Sequence, residues 1–409
     1  MAVNTGYILP NGTDLGSQLV EKSYLIDRYP ELVDTFRFAG LWAWGDNINI
    51  GQLGDNTVAS KSSPIQTIAG GTNWKQVSTG GYTVGSIKTD GTLWLWGKNH
   101  VGQLGDNTNV NKSSPVQTIA GGTNWKQVAC GYTITAAIKT DGTLWTWGSN
   151  FYGQLGDNTT TGAGFLKSSP VQTVSGGTNW KQASANSASV YAIKTDGTLW
   201  VWGLNNQGQL GDNTTASKAS PVQTIAAGTN WKQVASGYQQ CAAIKTDGTL
   251  WLWGYNNNGE LGDNTRVAKS SPVQTISGGT NWKQVSINKN GAAAIKTDAT
   301  LWGWGSGFAG KLGEGFVVNR SSPVQTMAGG TNWKQVACGY YHTIAIKTDG
   351  TLWGWGSNTL GELADSTRTN KSSPVQTVAG GTNWKQVSCS GQHTLAIRDN
   401  SSDIFGNSI

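Results

Sequence analysis

Three histidines, four cysteines and a recurring Gly-Asp-Asn-Thr run are the residues of this chain that a catalyst or metal centre would recruit. Their spacing does not assemble either. His100, His342 and His393 are scattered, and no Ser-His-Asp order, His-Glu-x-x-His or Cys-x-x-Cys pair occurs. His342 and His393 each precede a threonine, where other copies of the same stretch carry Thr83, Ile134 or Gln240, so a structural hydrogen bond is the expectation. Cys130, Cys338 and Cys389 occupy one repeated position and Cys241 another. Equivalent positions in separated units are poorly placed to bridge, so free thiols are expected. Asp55, Asp106, Asp157, Asp212 and Asp263 each open an Asp-Asn-Thr run. These runs lack the terminal glutamate and alternating carboxylates of a calcium loop, so side-chain-capped Asx turns account for them, and no metal or cofactor is expected.

The elements that would carry these residues repeat. Thr-Asn-Trp places Trp74, Trp125, Trp180, Trp231, Trp282, Trp333 and Trp384 at a spacing of 51 residues, with one step of 55. A second marker, Leu-Trp-x-Trp-Gly, supplies the other fourteen of the 21 tryptophans, from Trp42/Trp44 to Trp353/Trp355. Every tryptophan thus belongs to the repeat. A fixed period near fifty residues is the signature of an array of supersecondary units. Each unit reads as four strands, A over 74–78, B over 84–88, C over 92–96 and D over 115–119 in the first complete copy. Asp90-Gly91 between B and C predicts a type I′ hairpin, and Pro115 predicts a strand start at an outer edge. Asp298-Ala299 replaces Asp-Gly in one copy, where a change of turn type is expected.

Seven units of four short strands predict an all-β, seven-bladed β-propeller. The first unit begins with strand C and the last ends with strand B. N-terminal strands C and D are therefore expected to pair with C-terminal strands A and B, which removes the open edge of a linear array. The domain reading is an N-terminal extension over 1–40, the propeller over 41–400 and a tail over 401–409.

The run Ile-Lys-Thr-Asp-Gly-Thr-Leu-Trp-Leu-Trp-Gly at 87–97, followed by Gly-Gln-Leu-Gly at 102–105, resembles the repeat of the regulator of chromosome condensation family. The resemblance covers residues 41–400 and implies the same closed seven-bladed ring. It also places His342 and His393 in the family's His-Thr step. The plant UV-B photoreceptor shares this fold, but its sensing Gly-Trp-Arg-His-Thr motif corresponds here to Gly339-Tyr340-Tyr341-His342-Thr343, without the Trp and Arg. Light sensing is therefore not expected.

Composition narrows the function. Charged residues are 13% and glycines number 57, as tight turns between short strands require. The net charge is +6, but 21 of the 29 basic residues sit at three repeated positions, exemplified by Lys75, Lys88 and Lys112. Rings of charge are a weaker nucleic-acid footprint than a one-sided patch, so no nucleic acid is expected. No signal peptide or transmembrane segment is legible, and membrane insertion is not expected.

The chain reads as a non-enzymatic structural or binding propeller with protein partners. The candidate contact residues are the least repetitive ones. Leu32, Val33, Phe36 and Phe38 lie in the extension, which straps the ring or docks a partner, and Phe165 and Leu166 lie in an enlarged outer loop. Residues 24–45 are similar to the start of propeller proteins encoded by bacterial viruses. That likeness implies a virion component, a tail, fibre or capsid-surface protein for attachment to other virion proteins or a host receptor. A cytoplasmic guanine-nucleotide exchange regulator of a small GTPase is the alternative the family resemblance leaves open.

Overall fold

A computed structural model describes residues 39–68, 73–160, 165–174, 176–226, 228–327 and 330–399. Within them, 28 strands form seven four-stranded antiparallel sheets. In the first complete blade, blade I, strand A is Trp74–Gly80, B is Thr83–Lys88, C is Leu93–Gly97 and D is Lys112–Gln117. Blades II to VI repeat this order, with A strands beginning at Trp125, Trp180, Trp231, Trp282 and Trp333. Blade VII is composite. Ala39–Gly45 and Lys61–Gln66 supply its C and D strands, and Trp384–Ser390 and His393–Asp399 its A and B strands. Seven pairs from Ala39↔Asp399 to Gly45↔His393 join the two ends, as the truncated first and last repeats require.

Two details correct the sequence reading. Strand D begins three residues before Pro115, which lies inside the strand. The ladder jumps there from Leu95↔Val116 to Gly97↔Lys112, so the proline occupies a bulge on an edge strand that needs no N–H from it. The B–C hairpin is not type I′. Gly91 N–H donates to Lys88 O at 3.0 Å and only Gly91 has positive φ, +80°, which makes a type I turn over Thr89-Asp90 followed by a left-handed residue. Ala299 keeps this geometry at φ 62° with its N–H on Lys296 O at 3.0 Å, so the turn type does not change.

The core lies between blades. Seven buried clusters each combine side chains of two neighbouring blades, as when Leu395 and Ile397 of blade VII pack with Trp74, Val77 and Trp96 of blade I. The strand-A tryptophan and the second tryptophan of Leu-Trp-x-Trp-Gly are buried in every blade, and meet at centroid distances of 6.0–6.4 Å. Each of these strand-C indoles donates back to a backbone carbonyl of the preceding blade, from Trp96 to Gln52 O at 3.0 Å round to Trp44 to Glu362 O at 2.8 Å. The second glycine of Gly-Gln-Leu-Gly allows this approach, since a Cβ on Gly54 would stand 2.7 Å from Trp96 Nε1. A second belt runs round the axis. Gln284 Nε2 donates to Val336 O at 2.9 Å while its Oε1 accepts from Val336 N at 3.0 Å, and all seven A-strand glutamines bond the next blade in this way.

Candidate functional site

The seven A strands wall a central channel whose cavity is about 270 Å³. Its lining is the glutamine belt with valine, serine and alanine positions of each A strand. Cys130 and Cys338 are the last residues of their A strands and Cys389 the last but one of its own. They and Cys241 are free and buried, and burial pushes the Cys130 thiol up to about 12, so it is no nucleophile at neutral pH. Among the described residues no three His, Cys, Asp or Glu side chains are grouped as metal ligands. The Asp-Asn-Thr loops are Asx turns, as expected. Asp55 accepts from Thr57 N at 3.0 Å and Asn47 Nδ2 at 3.1 Å, and lies 3.7 Å from Lys61. Burial pushes His342 and His393 down to about 3, so both are neutral, and His342 Nε2 bonds Thr394 Oγ1 at 3.0 Å.

The two faces of the ring differ in kind. One carries the A–B turns and the C–D loops; the other carries the B–C turns and the D–A connections. On the second face the copies are nearly identical, with Thr-Asn-Trp-Lys-Gln present seven times and Thr-Asp-Gly-Thr-Leu five, a sixth copy differing only by Ala299. On the first, the A–B turns at 79–83, 130–134, 185–189, 236–240, 287–291, 338–342 and 389–393 are all different. This contrast sits in the sequence, but only the strand order assigns it to opposite faces.

On the varied face, tyrosines from different blades converge at the channel mouth. Tyr132, Tyr238 and Tyr340 line the cavity. Tyr82 and Tyr132 are 5.8 Å apart edge to face, and Lys98 Nζ lies 4.6 Å from the Tyr132 ring and 3.2 Å from its hydroxyl. Lys289 Nζ sits within 6.0 Å of Tyr238, Tyr340 and Tyr341. Burial and the neighbouring tyrosines hold the Tyr340 hydroxyl well above its ordinary pKa, so that hydroxyl stays protonated. Phe308 packs on Tyr341 at 5.0 Å and continues the patch outward.

Phe165 and Leu166 lie on the same face, 36% and 37% exposed, with Phe165 stacked on Phe151 at 5.1 Å. Leu32, Val33, Phe36 and Phe38, with the rest of residues 1–38 and the tail, lie outside the described residues. Sequence reasoning missed the larger apolar group in blade V. Phe308, Phe316, Val317, Val318 and Met327 are 46–66% exposed. Gly307 there replaces the asparagine that in six other blades bonds the loop's aspartate, and Glu314 instead pairs with Arg320 Nε at 2.8 Å. The signal was the run Phe-Val-Val at 316–318, where the other copies begin with threonine and carry at most one valine.

A closed ring of seven near-identical four-stranded blades with one diversified face defines a seven-bladed β-propeller built from tandem repeats. The chain belongs to the regulator of chromosome condensation repeat family, whose repeat model matches residues 90–138, 141–193, 196–244, 247–295, 298–346 and 349–397. The ultraviolet-B receptor UVR8 of Arabidopsis thaliana is 30% identical over 310 residues, 74% of this chain and 70% of that one. Among solved structures, human WBSCR16 aligns with a TM-score of 0.79 at 20% identity, over 89% of this chain and 99% of that one. Prp20p of Saccharomyces cerevisiae, described with its binding to Gsp1p and histones, aligns at 0.75 and 18% identity, over 91% and 95%. Among the described residues no helix is long and apolar enough to cross a membrane.

Proposed function

We propose that this chain is a non-catalytic binding propeller that grips a protein partner on its varied face, and that it serves as a surface component of a virus particle, in a tail, fibre or capsid, for attachment. The observation that carries the binding reading is the concentration of exposed sequence variation in the A–B turns and C–D loops, the varied positions of the B strands being buried. Seven equivalent turns, no two identical although four share a Gly-Tyr step, present an asymmetric surface on a rigid ring. That surface holds five tyrosines, two of their lysines and the exposed phenylalanines of blades II and V. Tyrosine and phenylalanine bury large area with few rotatable bonds, which suits a partner interface. The virion assignment rests on the likeness of residues 24–45 to propellers of bacterial viruses.

Two measurements test this. Mass spectrometry of purified particles from the source should find the chain; particles without it end the virion assignment. Phe308→Ser with Phe316→Ser should abolish attachment while the thermal unfolding profile stays intact. Unchanged attachment refutes the assignment of the interface to blade V. Faster nucleotide release from a small GTPase would replace this reading with that of an exchange regulator.

A further inference from the structure

The constant face holds a feature that the proposed partner site does not use. The second residue of every A strand is lysine: Lys75, Lys126, Lys181, Lys232, Lys283, Lys334 and Lys385. All seven are exposed. Because A strands are innermost, they ring the channel mouth opposite the tyrosines. Lys75, Lys283, Lys334 and Lys385, from four consecutive blades, line a single cavity there, with the amides of Gln76, Gln284, Gln335 and Gln386. Among the described residues only Lys385 has a carboxylate partner, Asp399 at 3.7 Å. The lysines of the opposite face contrast with this, since Lys61, Lys112, Lys218 and Lys371 each pair with an aspartate of their own loop.

The surrounding charges restrict what fits. Lys88 and its equivalents end the B strands on this same face, each set over two tryptophan rings, as Lys88 Nζ is 4.9 Å from Trp74 and 4.7 Å from Trp94. Two of the three basic rings therefore share one face. Farther from the axis the B–C turns add a fence of exposed carboxylates, Asp90, Asp141, Asp196, Asp247, Asp298 and Asp349. Hydrogen bonds from Thr143 hold Asp141 below the usual carboxylate range, so the fence stays ionised. A long polyanion crossing the face would pass over those carboxylates. A compact one on the axis meets only ammonium groups, whose mutual repulsion it relieves.

We propose that this mouth binds a compact anion bearing several phosphate groups, centred on the channel axis and held by the strand-A lysines. The phosphates can belong to a soluble molecule or to a lipid headgroup. The test is calorimetric titration with myo-inositol hexakisphosphate, beside co-sedimentation with phosphatidylcholine vesicles with and without phosphatidylinositol bisphosphate. One hexakisphosphate is expected per chain, and raising salt from about 0.05 M to about 0.3 M should weaken it steeply. Lys283→Gln with Lys334→Gln should weaken it about tenfold or more, whereas Lys112→Gln with Lys218→Gln should not. Loss of vesicle binding in the same double variant assigns a headgroup; binding of the soluble anion alone assigns a free one. No heat at low salt, affinity indifferent to Lys283 and Lys334, or tighter binding of single-stranded DNA overturns the proposal. A thermal melt of each variant checks that these exposed substitutions leave the ring folded.

Discussion

Replacing Gln284 by Met keeps length and shape but removes one link of the glutamine belt. The wild-type side chain makes two bonds to Val336, at 2.9 and 3.0 Å. Each hydrogen bond contributes about 0.5–1.5 kcal/mol net, and more where a partner is left buried and unpaired. The link borders the channel, so water can reach part of it, and the expected loss is about 1–3 kcal/mol. With an unfolding entropy of about 2.1 cal/mol/K per residue, a ring of roughly 360 residues should melt about 1–4 °C lower. Gln284→Glu is the internal control. Its carboxylate still accepts from Val336 N but now faces Val336 O with no donor, so at pH 8 it should cost more than Met. The excess should shrink as the carboxylate protonates near pH 4. Denaturant midpoints at constant slope measure both. A Gln284→Met variant within about 0.3 kcal/mol of the parent, or a Glu variant no worse than Met, would show that the belt follows ring closure without stabilising it.

Other perturbations are direct. Ala299 and Ala364 occupy left-handed backbone at φ 62° and 53°, where the other five B–C turns and most Gly-Gln-Leu-Gly copies use glycine. Ala299→Gly should raise stability by about 0.5–1 kcal/mol in denaturant titration, and a decrease would refute the strain argument. His342 and His393 have folded pKa values near 3 against about 6.5 unfolded, so the unfolded chain binds more protons between these values. Stability is therefore full above about pH 6.5 and should fall by up to about 1.4 kcal/mol per histidine per unit as pH drops below it. His342→Gln with His393→Gln, using the residue found at Gln240, should flatten the slope between about pH 6 and pH 5. Deleting residues 1–45 removes the strand between Lys61–Gln66 and His393–Asp399, and should give concentration-dependent aggregation. A monodisperse truncation with the parent melting curve would contradict closure by that strand.

The architecture was legible because its signals are periodic. Trp74, Trp96 and Pro115 recur with every blade, and the missing A and B strands at the start match those left over at the end. Strand D was misplaced because proline was read as a strand start, whereas a bulge on an outer edge accommodates it inside. The hairpin type was misread because Asp-Gly serves both a type I′ turn and a type I turn with a left-handed third residue, and only the Gly91-to-Lys88 bond separates them. The site was less legible because it is built across repeats. Tyr82 and Tyr132 are fifty residues apart in sequence and 5.8 Å apart in space, and only the stacking of blade II on blade I brings them together. The lysines were visible as three rings, but that two share a face depends on strand direction.

The pairing of Ala39–Gly45 with His393–Asp399 has a consequence for synthesis. While the ribosome is still translating, the early C and D strands have no neighbour, and each finished blade can only stack into an arc with two raw ends. Closure waits for His393–Asp399 to emerge. A transcript cut short at any earlier codon yields an arc that chaperones or proteases can recognise by its unsatisfied strand edges, so the ring certifies its own completeness.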